Sequence, residues 1–233
     1  MRLAILSDIH SNLEALEAAL KIVEEKSPDA ILCLGDIVGY GANPNECIEL
    51  VRQNCDIVLL GNHDAALLDQ SITYYFTPLA RTAILWTLSQ ITEENIEFLR
   101  TLKMTATLDR FFLVHSSPTQ PETWQYIIDE EDAKPHFSSF REEICFVGHS
   151  HIPGIYSLDG KESVVHHGKR YIINVGSIGQ PRDRNPHMSF GFFDSENWTY
   201  ELIRAPYPIS TAANKILRAN LPSVLAYRLF EGS

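Results

Sequence analysis

Side chains that commonly bind metal ions recur directly after short apolar runs of this chain. Seven of them offer a carboxylate, an imidazole or an amide oxygen, and none offers a thiolate: Asp8, His10, Asp36, Asn62, His115, His149 and His151. That mixture suits Mn, Fe or Zn ions better than a structural zinc clamp, which prefers cysteine. Seven donors are too many for one ion. With one aspartate shared, they suit two ions roughly 3.5–4 Å apart, the spacing that activates a water and clamps an oxyanion.

Each of these motifs also has a plainer interpretation. Asp8-x-His10 alone is typical of a turn with a solvated carboxylate, and Asp36 after a glycine is typical of a turn or a cap. The pair His149-x-His151 is also typical of two surface imidazoles. In every case, however, the polar group follows an apolar run at once, and this shared position favours a joint site over coincidence.

The apolar runs predict the strands that would position these groups. Three runs, at residues 3–6, 30–34 and 56–60, are separated by helical patterns at residues 12–26 and 44–53. Alternating strands and helices with nearly continuous apolar strands predict a parallel sheet covered on both faces. Ligands bind such sheets outside the carboxyl ends of the strands. We therefore expect the polar clusters to meet at one sheet edge.

The remainder of the chain adds a second group of elements. In chain order the pattern predicts a helical stretch at 78–102, strands at 111–114 and 144–147, and a helical tail from about Thr211. Residues 155–204 are rich in β-branched and aromatic residues broken by glycine, which predicts a second, largely antiparallel sheet. No repeat or low-complexity linker interrupts the chain, so we expect a single domain over residues 1–233.

Composition narrows the function classes. Hydrophobic residues make up 45% of the 233 residues and charged residues 21%, which is ordinary for a globular protein. The net charge of -11 argues against a nucleic-acid surface, although a phosphate-containing substrate is compatible with it if local cations supply the attraction. No apolar run approaches the roughly 20 residues that cross a bilayer. Four cysteines without CxxC spacing indicate free thiols and make the cytoplasm the expected compartment.

The order of the motifs resembles a known family. D-x-H, G-D, G-N-H-D, a lone histidine and G-H-x-H, in that order, resemble the calcineurin-like metallophosphoesterase superfamily. The stretch NVGSIGQPR at residues 174–182 is similar to the small prokaryotic, phosphodiesterase-like branch of that superfamily. The resemblance implies an α/β fold (α+β by some schemes), a four-layer α-β-β-α sandwich of two mixed sheets with flanking helices. It also places the metals at the top of the two sheets.

The resemblance also implies roles for individual residues. The two ligand sets would be Asp8, His10, Asp36 and His151 for one ion, and Asp36, Asn62, His115 and His149 for the other. Asp36 would bridge the ions, and a bridging hydroxide would attack phosphorus. His63 would be catalytic, either protonating the leaving oxygen or steadying the transition state. Mn is the favoured metal, with Fe, Zn, Ni or Co as alternatives.

Departures from the family pattern bear on the substrate. The protein phosphatases of this superfamily read G-D-x-V-D-R-G, whereas Gly39 and Tyr40 replace the second aspartate and the arginine here, and Ser116 replaces the glycine after His115. Because a monoester needs an extra donor for its additional oxygen, we expect a hydrolase of phosphodiesters or phosphoanhydrides acting on a small phosphoester or nucleotide-like substrate. Alternatives are a phosphomonoesterase or protein phosphatase, a dinucleoside-polyphosphate hydrolase and, least favoured, a metal-free interaction module.

Three further features have two interpretations each. Arg182 could bind a phosphate oxygen, or it could pair with Asp183 or a surface carboxylate, and the two interpretations are equally favoured. Tyr40 could contact the substrate or simply pack. The aromatic segments at residues 74–76 and 124–126 could stack on a base, but core or lid packing is favoured.

Overall fold

The first sheet is built around β1 (Arg2–Leu6), whose residues alternate between two apolar layers. The computed structural model describes residues 1–233. Leu3 and Ile5 face the second sheet, whereas Ala4 and Leu6 face the helices. The strand order is β11 (Thr199–Ala205), β10 (Met188–Asp194), β1, β2 (Ala30–Cys33) and β3 (Ile57–Val58). β1, β2 and β3 are parallel, and β10 and β11 run antiparallel.

The second sheet is also mixed. Its order is β4 (Thr105–Leu108), β5 (Phe111–Val114), β6 (Ile144–Val147), β9 (Tyr171–Asn174), β7 (Gly154–Ser157) and β8 (Gly160–Glu162). β5, β6 and β9 are parallel, and the outer pairings are antiparallel. Phe193 meets Phe111 and Phe146 edge to face between the two sheets, and the three rings form the centre of the buried layer that joins them.

Helices cover the outer faces of both sheets. They are α1 (Leu13–Lys26), α2 (Pro44–Asn54), α3 (Asn62–Leu68), α4 (Pro78–Gln90), α5 (Glu93–Thr101), α6 (Glu130–Ala133), α7 (Ile209–Arg218) and α8 (Ser223–Glu231). The side chains of Asn12 and Thr92 cap α1 and α5 by accepting a backbone N–H. All but α6 lie against the first sheet or its loops, and α6 with the following 3-10 turn covers the second. The predicted α-β-β-α order is thus confirmed.

The expected second antiparallel sheet at residues 155–204 is wrong. β7, β8 and β9 join the same sheet as β5 and β6, whereas β10 and β11 cross back to pair with β1. Local strand patterns do not reveal the partner of a strand. β10 pairs with the free edge of β1, and β9 pairs with the free edge of β6. Both pairings bury apolar residues on the two faces of the sheets.

The C-terminal tail also differs from expectation. Instead of one helix from Thr211, α7 begins at Ile209 and α8 follows after a break in which Asn220 has a positive φ and Pro222 precedes the new helix. The break lets α8 pack back on α7. Its buried face, including Leu225 and Leu229, joins the apolar layer between the first sheet and its helices. No helix of the chain combines the length and apolar character needed to span a bilayer.

Candidate metal centre

The seven predicted donors converge at one place, but from two sheets instead of one. Asp8 and His10 follow β1, Asp36 follows β2, and Asn62 is the first residue of α3 beyond β3. The remaining three follow strands of the second sheet: His115, His149 and His151. All seven side chains are buried. Because β1, β2, β5 and β6 end at the same edge of the packed sheets, their polar loops face one another.

Most of these donors have strained backbones. A positive φ near 50–65° is found at Asp8, His10, Asp36, His149 and His151. Such a conformation is uncommon outside glycine, although Asp and His adopt it more readily than most residues. Strain of this kind persists where the surrounding structure enforces it and is concentrated at functional sites. The strand ends therefore turn sharply to aim successive side chains inward.

A glycine makes the junction between the two sheets possible. A Cβ on Gly148 would clash with the side chains of Ser7 and Asp8. Without that Cβ, the end of β6 lies against the end of β1, and the backbone N–H of His149 donates to Oδ2 of Asp8 at 3.0 Å. Gly148 thus explains why the G-H-x-H motif begins with glycine.

Backbone carbonyls set the protonation of all four clustered histidines. Each ring places one nitrogen against a carbonyl oxygen: His10 Nδ1 on Val38 at 3.0 Å, His115 Nδ1 on Leu34 at 3.2 Å, His151 Nδ1 on Gln180 at 2.5 Å and His149 Nε2 on Trp124 at 2.9 Å. A carbonyl only accepts, so each of these nitrogens carries the proton. The other ring nitrogens of His10, His149 and His151 then offer lone pairs to the cluster, as metal-binding histidines do.

The lone pairs face each other in a way that requires a cation. Nε2 of His10 and Nε2 of His151 lie 3.0 Å apart, although neither has a proton to donate. Oδ1 of Asp8 lies 3.2 Å from Nε2 of His151 and is buried without a hydrogen-bond partner. Buried polar atoms are rarely left unpaired. A metal ion between these atoms satisfies all three, so the donor set fits the group that the sequence predicts.

Asp36 occupies the centre of the cluster. Its Oδ2 lies 3.6 Å from Nε2 of His10 and 3.4 Å from Nε2 of His115, while Oδ1 accepts the backbone N–H of His63 at 2.8 Å. Two groups able to hold a metal share it: Asp8, His10, Asp36 and His151 form one, and Asp36, His115 and His149 form the other. Oδ1 of Asn62 lies 3.2 Å from Nε2 of His115 and adds an amide oxygen to the second group.

The electrostatics agree with this arrangement. Burial lowers the pKa of His149 to about 3 and holds the pKa values of His10 and His151 below their usual range, so these rings are neutral. Burial opposes ionisation of Asp36, but His115 and His63 outweigh it and hold its pKa well below the usual value. For His115, burial is outweighed by Asp36, which raises the pKa to about 9. A bound cation would displace this proton.

His63 lies beside the cluster without being held like the other histidines. Its ring centroid is 4.8 Å from His10, 4.6 Å from Tyr40 and 4.8 Å from Phe76. Nδ1 is buried without a hydrogen-bond partner, and burial lowers the pKa to about 4. A Cβ on Gly39, which has φ +93°, would clash with that nitrogen. Packing against rings therefore orients His63, where the phosphatase pattern uses a carboxylate.

Tyr40 and Arg182 are both close to the centre. Tyr40 is buried, with its ring centroid 4.7 Å from that of His10. Nη2 of Arg182 donates to the Tyr40 hydroxyl at 3.3 Å and to Oε1 of Gln180 at 3.1 Å. The alternative pairing of Arg182 with Asp183 is wrong, since Asp183 pairs with Arg204.

Three residues outside the predicted site support this region, namely Asp64, Phe76 and Arg228. Asp64 accepts backbone N–H groups from Ile37, Val38 and Gly61 and ties two ligand loops together, and burial with the charge of Asp36 raises its pKa to about 7. Its place in the G-N-H-D motif was an available signal. Phe76 lies in the aromatic segment 74–76, for which the sequence left stacking and packing open. No motif or pattern in the sequence indicated a role for Arg228.

An open cleft adjoins the second group of donors. Its volume is about 540 Å³, and its walls include Asn62, His149, Phe76, Trp124 and Tyr126. Tyr126 stacks on His149 with ring centroids 4.1 Å apart and an interplanar angle of 18°. Core packing is wrong for Tyr74 and Tyr75, which are 74% and 93% exposed, whereas a lid role for them stays a prediction. Trp124 and Tyr126 line the cleft instead of filling a core.

Ser116 accounts for one departure from the family pattern. Its buried hydroxyl donates to the carbonyl of Pro121 at 3.2 Å. The hydroxyl thereby ties the end of β5 to the loop that leads to Trp124. The substitution therefore bears on the wall of the cleft.

The chain belongs to the calcineurin-like phosphoesterase superfamily, whose domain matches residues 1–197. An uncharacterized protein of Methanocaldococcus jannaschii is 41% identical over 243 residues, covering 99% of this chain and 98% of its own. A metallophosphoesterase structure from Sphaerobacter thermophilus is 36% identical with a TM-score of 0.90, covering 100% of this chain and 99% of that one. A hypothetical protein from Pyrococcus horikoshii, at 21% identity, TM-score 0.83 and coverage of 100% and 98%, shares the fold. Family and Asp/His cluster together indicate a phosphoesterase that uses divalent metal ions.

Proposed function

We propose that this protein is a dinuclear-metal phosphoesterase that hydrolyses a phosphodiester or phosphoanhydride bond. The observation that carries the proposal is the 3.0 Å approach of two unprotonated imidazole nitrogens, on His10 and His151, beside an unpaired carboxylate oxygen of Asp8. Such an arrangement is unfavourable without a cation, because buried polar groups need partners. The centrally placed Asp36 supports two ions instead of one.

The proposed ligand sets follow the two clusters. One ion would be held by Asp8, His10, Asp36 and His151, and the other by Asp36, Asn62, His115 and His149. Two divalent ions with two carboxylates leave a positive site within an acidic protein. When bound, the ions would supply an activated water and neutralise charge on the phosphoryl oxygens. Mn²⁺ is the metal we would test first, because hard carboxylates and imidazoles are combined here.

His63 is the proposed catalytic side chain. The His63 ring packs edge to face against the ring of His10. Its backbone N–H donates to Asp36 and holds that carboxylate in place. A buried imidazole with a pKa of about 4 is neutral near pH 7. It would therefore act as a hydrogen-bond donor to the leaving or non-bridging oxygen, in the way neutral imidazoles polarise oxygens in other enzymes.

The diester or anhydride preference rests on the wall next to His63. A dianionic monoester needs a donor for its additional oxygen, and the position that holds arginine in related phosphatases holds the buried Tyr40. Arg182 does not replace that arginine directly, because Gln180 and Tyr40 hold its guanidinium. A diester, with one negative charge, makes less demand on this wall.

The aromatic cleft favours a substrate with an aromatic group, such as a nucleoside. Trp124 and Tyr126 present rings beside Asn62 and His149, where a group attached to the scissile phosphate would lie. Aromatic rings stack on any base, with about 1–3 kcal/mol per base in nucleic-acid complexes. The aromatic cleft therefore also supports the alternative of a dinucleoside-polyphosphate hydrolase.

Two measurements test the proposal. Elemental analysis after mild purification and Mn²⁺ reconstitution should give two metal ions per chain, and a value near zero with an intact fold would overturn the enzyme hypothesis. Hydrolysis of bis-p-nitrophenyl phosphate and p-nitrophenyl phosphate should then be compared at one pH and one Mn²⁺ concentration, with each kcat/KM divided by its uncatalysed rate. A clear excess for the monoester would favour the phosphatase alternative.

A further inference from the structure

Two arginines flank Tyr40, and one of them comes from the end of the chain. Arg182 lies in the loop after β9 and Arg228 lies on α8. The guanidinium carbon of Arg228 is 4.6 Å from the centroid of the Tyr40 ring, and that of Arg182 is 5.9 Å away. α8 lies beyond residues 1–197, the part of the chain that matches the family. Arg228 therefore lies outside the part of the chain that the family domain matches.

Neither arginine has a negative partner. No carboxylate lies within 4.0 Å of either guanidinium, and neighbouring Asp183 is already paired with Arg204. Nε of Arg228 is buried without any hydrogen-bond acceptor. Tyr40 supplies no charge, because burial raises the pKa of its hydroxyl. An acidic protein with a net charge of -11 thus holds two adjacent cations without a counterion.

The two cations are also charged under ordinary conditions. Burial, together with the neighbouring Arg182, lowers the pKa of Arg228 only to about 10. Like charges held together in a partly buried site are unfavourable unless an anion joins them. Guanidinium groups bind phosphate through paired N–H donors, and the proposed phosphoester substrate makes a phosphate the anion to expect here.

The arginines are one aromatic ring away from the proposed metal centre. The Tyr40 ring contacts His10 and His63 at centroid distances of 4.7 and 4.6 Å. The aromatic cleft instead opens at Asn62 and His149. The two arginines and the aromatic cleft therefore lie at different parts of the wall around the proposed metal centre.

We propose that Arg182 and Arg228 form an anion subsite that binds a second phosphate group of the substrate. The subsite selects phosphoanhydrides over simple phosphodiesters. This inference rests on the proposed function and specifies its substrate class. The phosphatases of this superfamily have an arginine at the position of Tyr40 that would bind the scissile phosphate. The proposed subsite places cations near that position, but they would bind the neighbouring phosphate.

The test compares two substrates that differ by one phosphate. Bis-p-nitrophenyl phosphate has one phosphate, and P1,P2-bis(p-nitrophenyl) diphosphate has two. Arg228→Gln should raise KM for the diphosphate by about 10- to 100-fold, the loss typical of a hydrogen bond to a charged group. KM for the monophosphate diester and the metal content should change little. Arg218→Gln, on an exposed position of α7, is the matched control and should change neither KM.

A binding measurement separates this inference from catalysis. Calorimetry of the metal-loaded protein with the diphenyl ester of methylenediphosphonate should show the same selective loss in Arg228→Gln, with partial recovery in Arg228→Lys. Equal changes for both substrates, or no change, would overturn the subsite while leaving the phosphoesterase proposal intact. If the wild type hydrolyses neither substrate, the proposed function fails and calorimetry still decides the subsite. If Arg228→Gln does not fold, Arg182→Gln must show the selective loss.

Discussion

Gly39→Ala is expected to couple stability to catalysis through His63. Gly39 has φ +93°, and an added Cβ would clash with Nδ1 of His63. Alanine at a positive φ costs about 1 kcal/mol. Forcing a group into a packed site adds about 1–3 kcal/mol. For a chain of 233 residues each kcal/mol lowers Tm by about 2–4 °C, so we expect a fall of roughly 5–15 °C.

A matched control isolates the clash. Gly168 also has a positive φ, +79°, but an added Cβ would meet nothing within 4 Å. Gly168→Ala should therefore show only the backbone effect, about 2–4 °C. In Gly39→Ala the ring of His63 can escape only by leaving its place between Tyr40 and Phe76. We expect kcat to fall towards that of His63→Ala, with metal content unchanged.

The double mutant of Gly39→Ala and His63→Ala tests whether the clash with His63 causes the loss of stability. In a His63→Ala background the clash is absent, so adding Gly39→Ala should lower Tm no more than Gly168→Ala does. The coupling free energy from thermal or denaturant unfolding should then be about 1–3 kcal/mol, the amount assigned to the clash. Additive losses of stability, or full activity in Gly39→Ala, would show that Gly39 does not position His63.

Other substitutions test the metal ligands, His63, the support of the ligand loops and the aromatic cleft. Asp36→Asn should lower the content of both metals more than any other ligand change, because Asp36 belongs to both groups, and elemental analysis beside an intact circular dichroism spectrum checks this. His63→Asn should retain metal and lose about 10²- to 10⁴-fold in kcat, and less with a p-nitrophenolate leaving group; an equal loss for poor and good leaving groups would exclude a hydrogen bond from His63 to the leaving oxygen. Asp64→Ala frees three backbone donors and should destabilise the fold by about 2–4 kcal/mol in urea unfolding. Tyr126→Ala should raise KM for aryl or nucleoside esters by about 10-fold without affecting methyl esters, and an equal effect on both would exclude stacking.

Local sequence was sufficient for the elements and the donors. Apolar runs followed by polar residues identified β1, β2, β3, β5 and β6, and the loops after these strands carry all seven predicted donors, because a buried strand and its exit loop are both short-range features. Donor type alone favoured carboxylate and imidazole chemistry over a cysteine site.

Only the tertiary structure decided how distant segments combine. Strand partners were set by which sheet edges remained to be buried, so residues 155–204 divided between two sheets against the local pattern. The proton positions on the histidines depend on carbonyls such as those of Trp124 and Gln180, each remote in sequence from the ring it fixes. Arg228 reaches Tyr40 across 188 positions of the chain through the packing of α8, a contact that no periodicity or motif encodes.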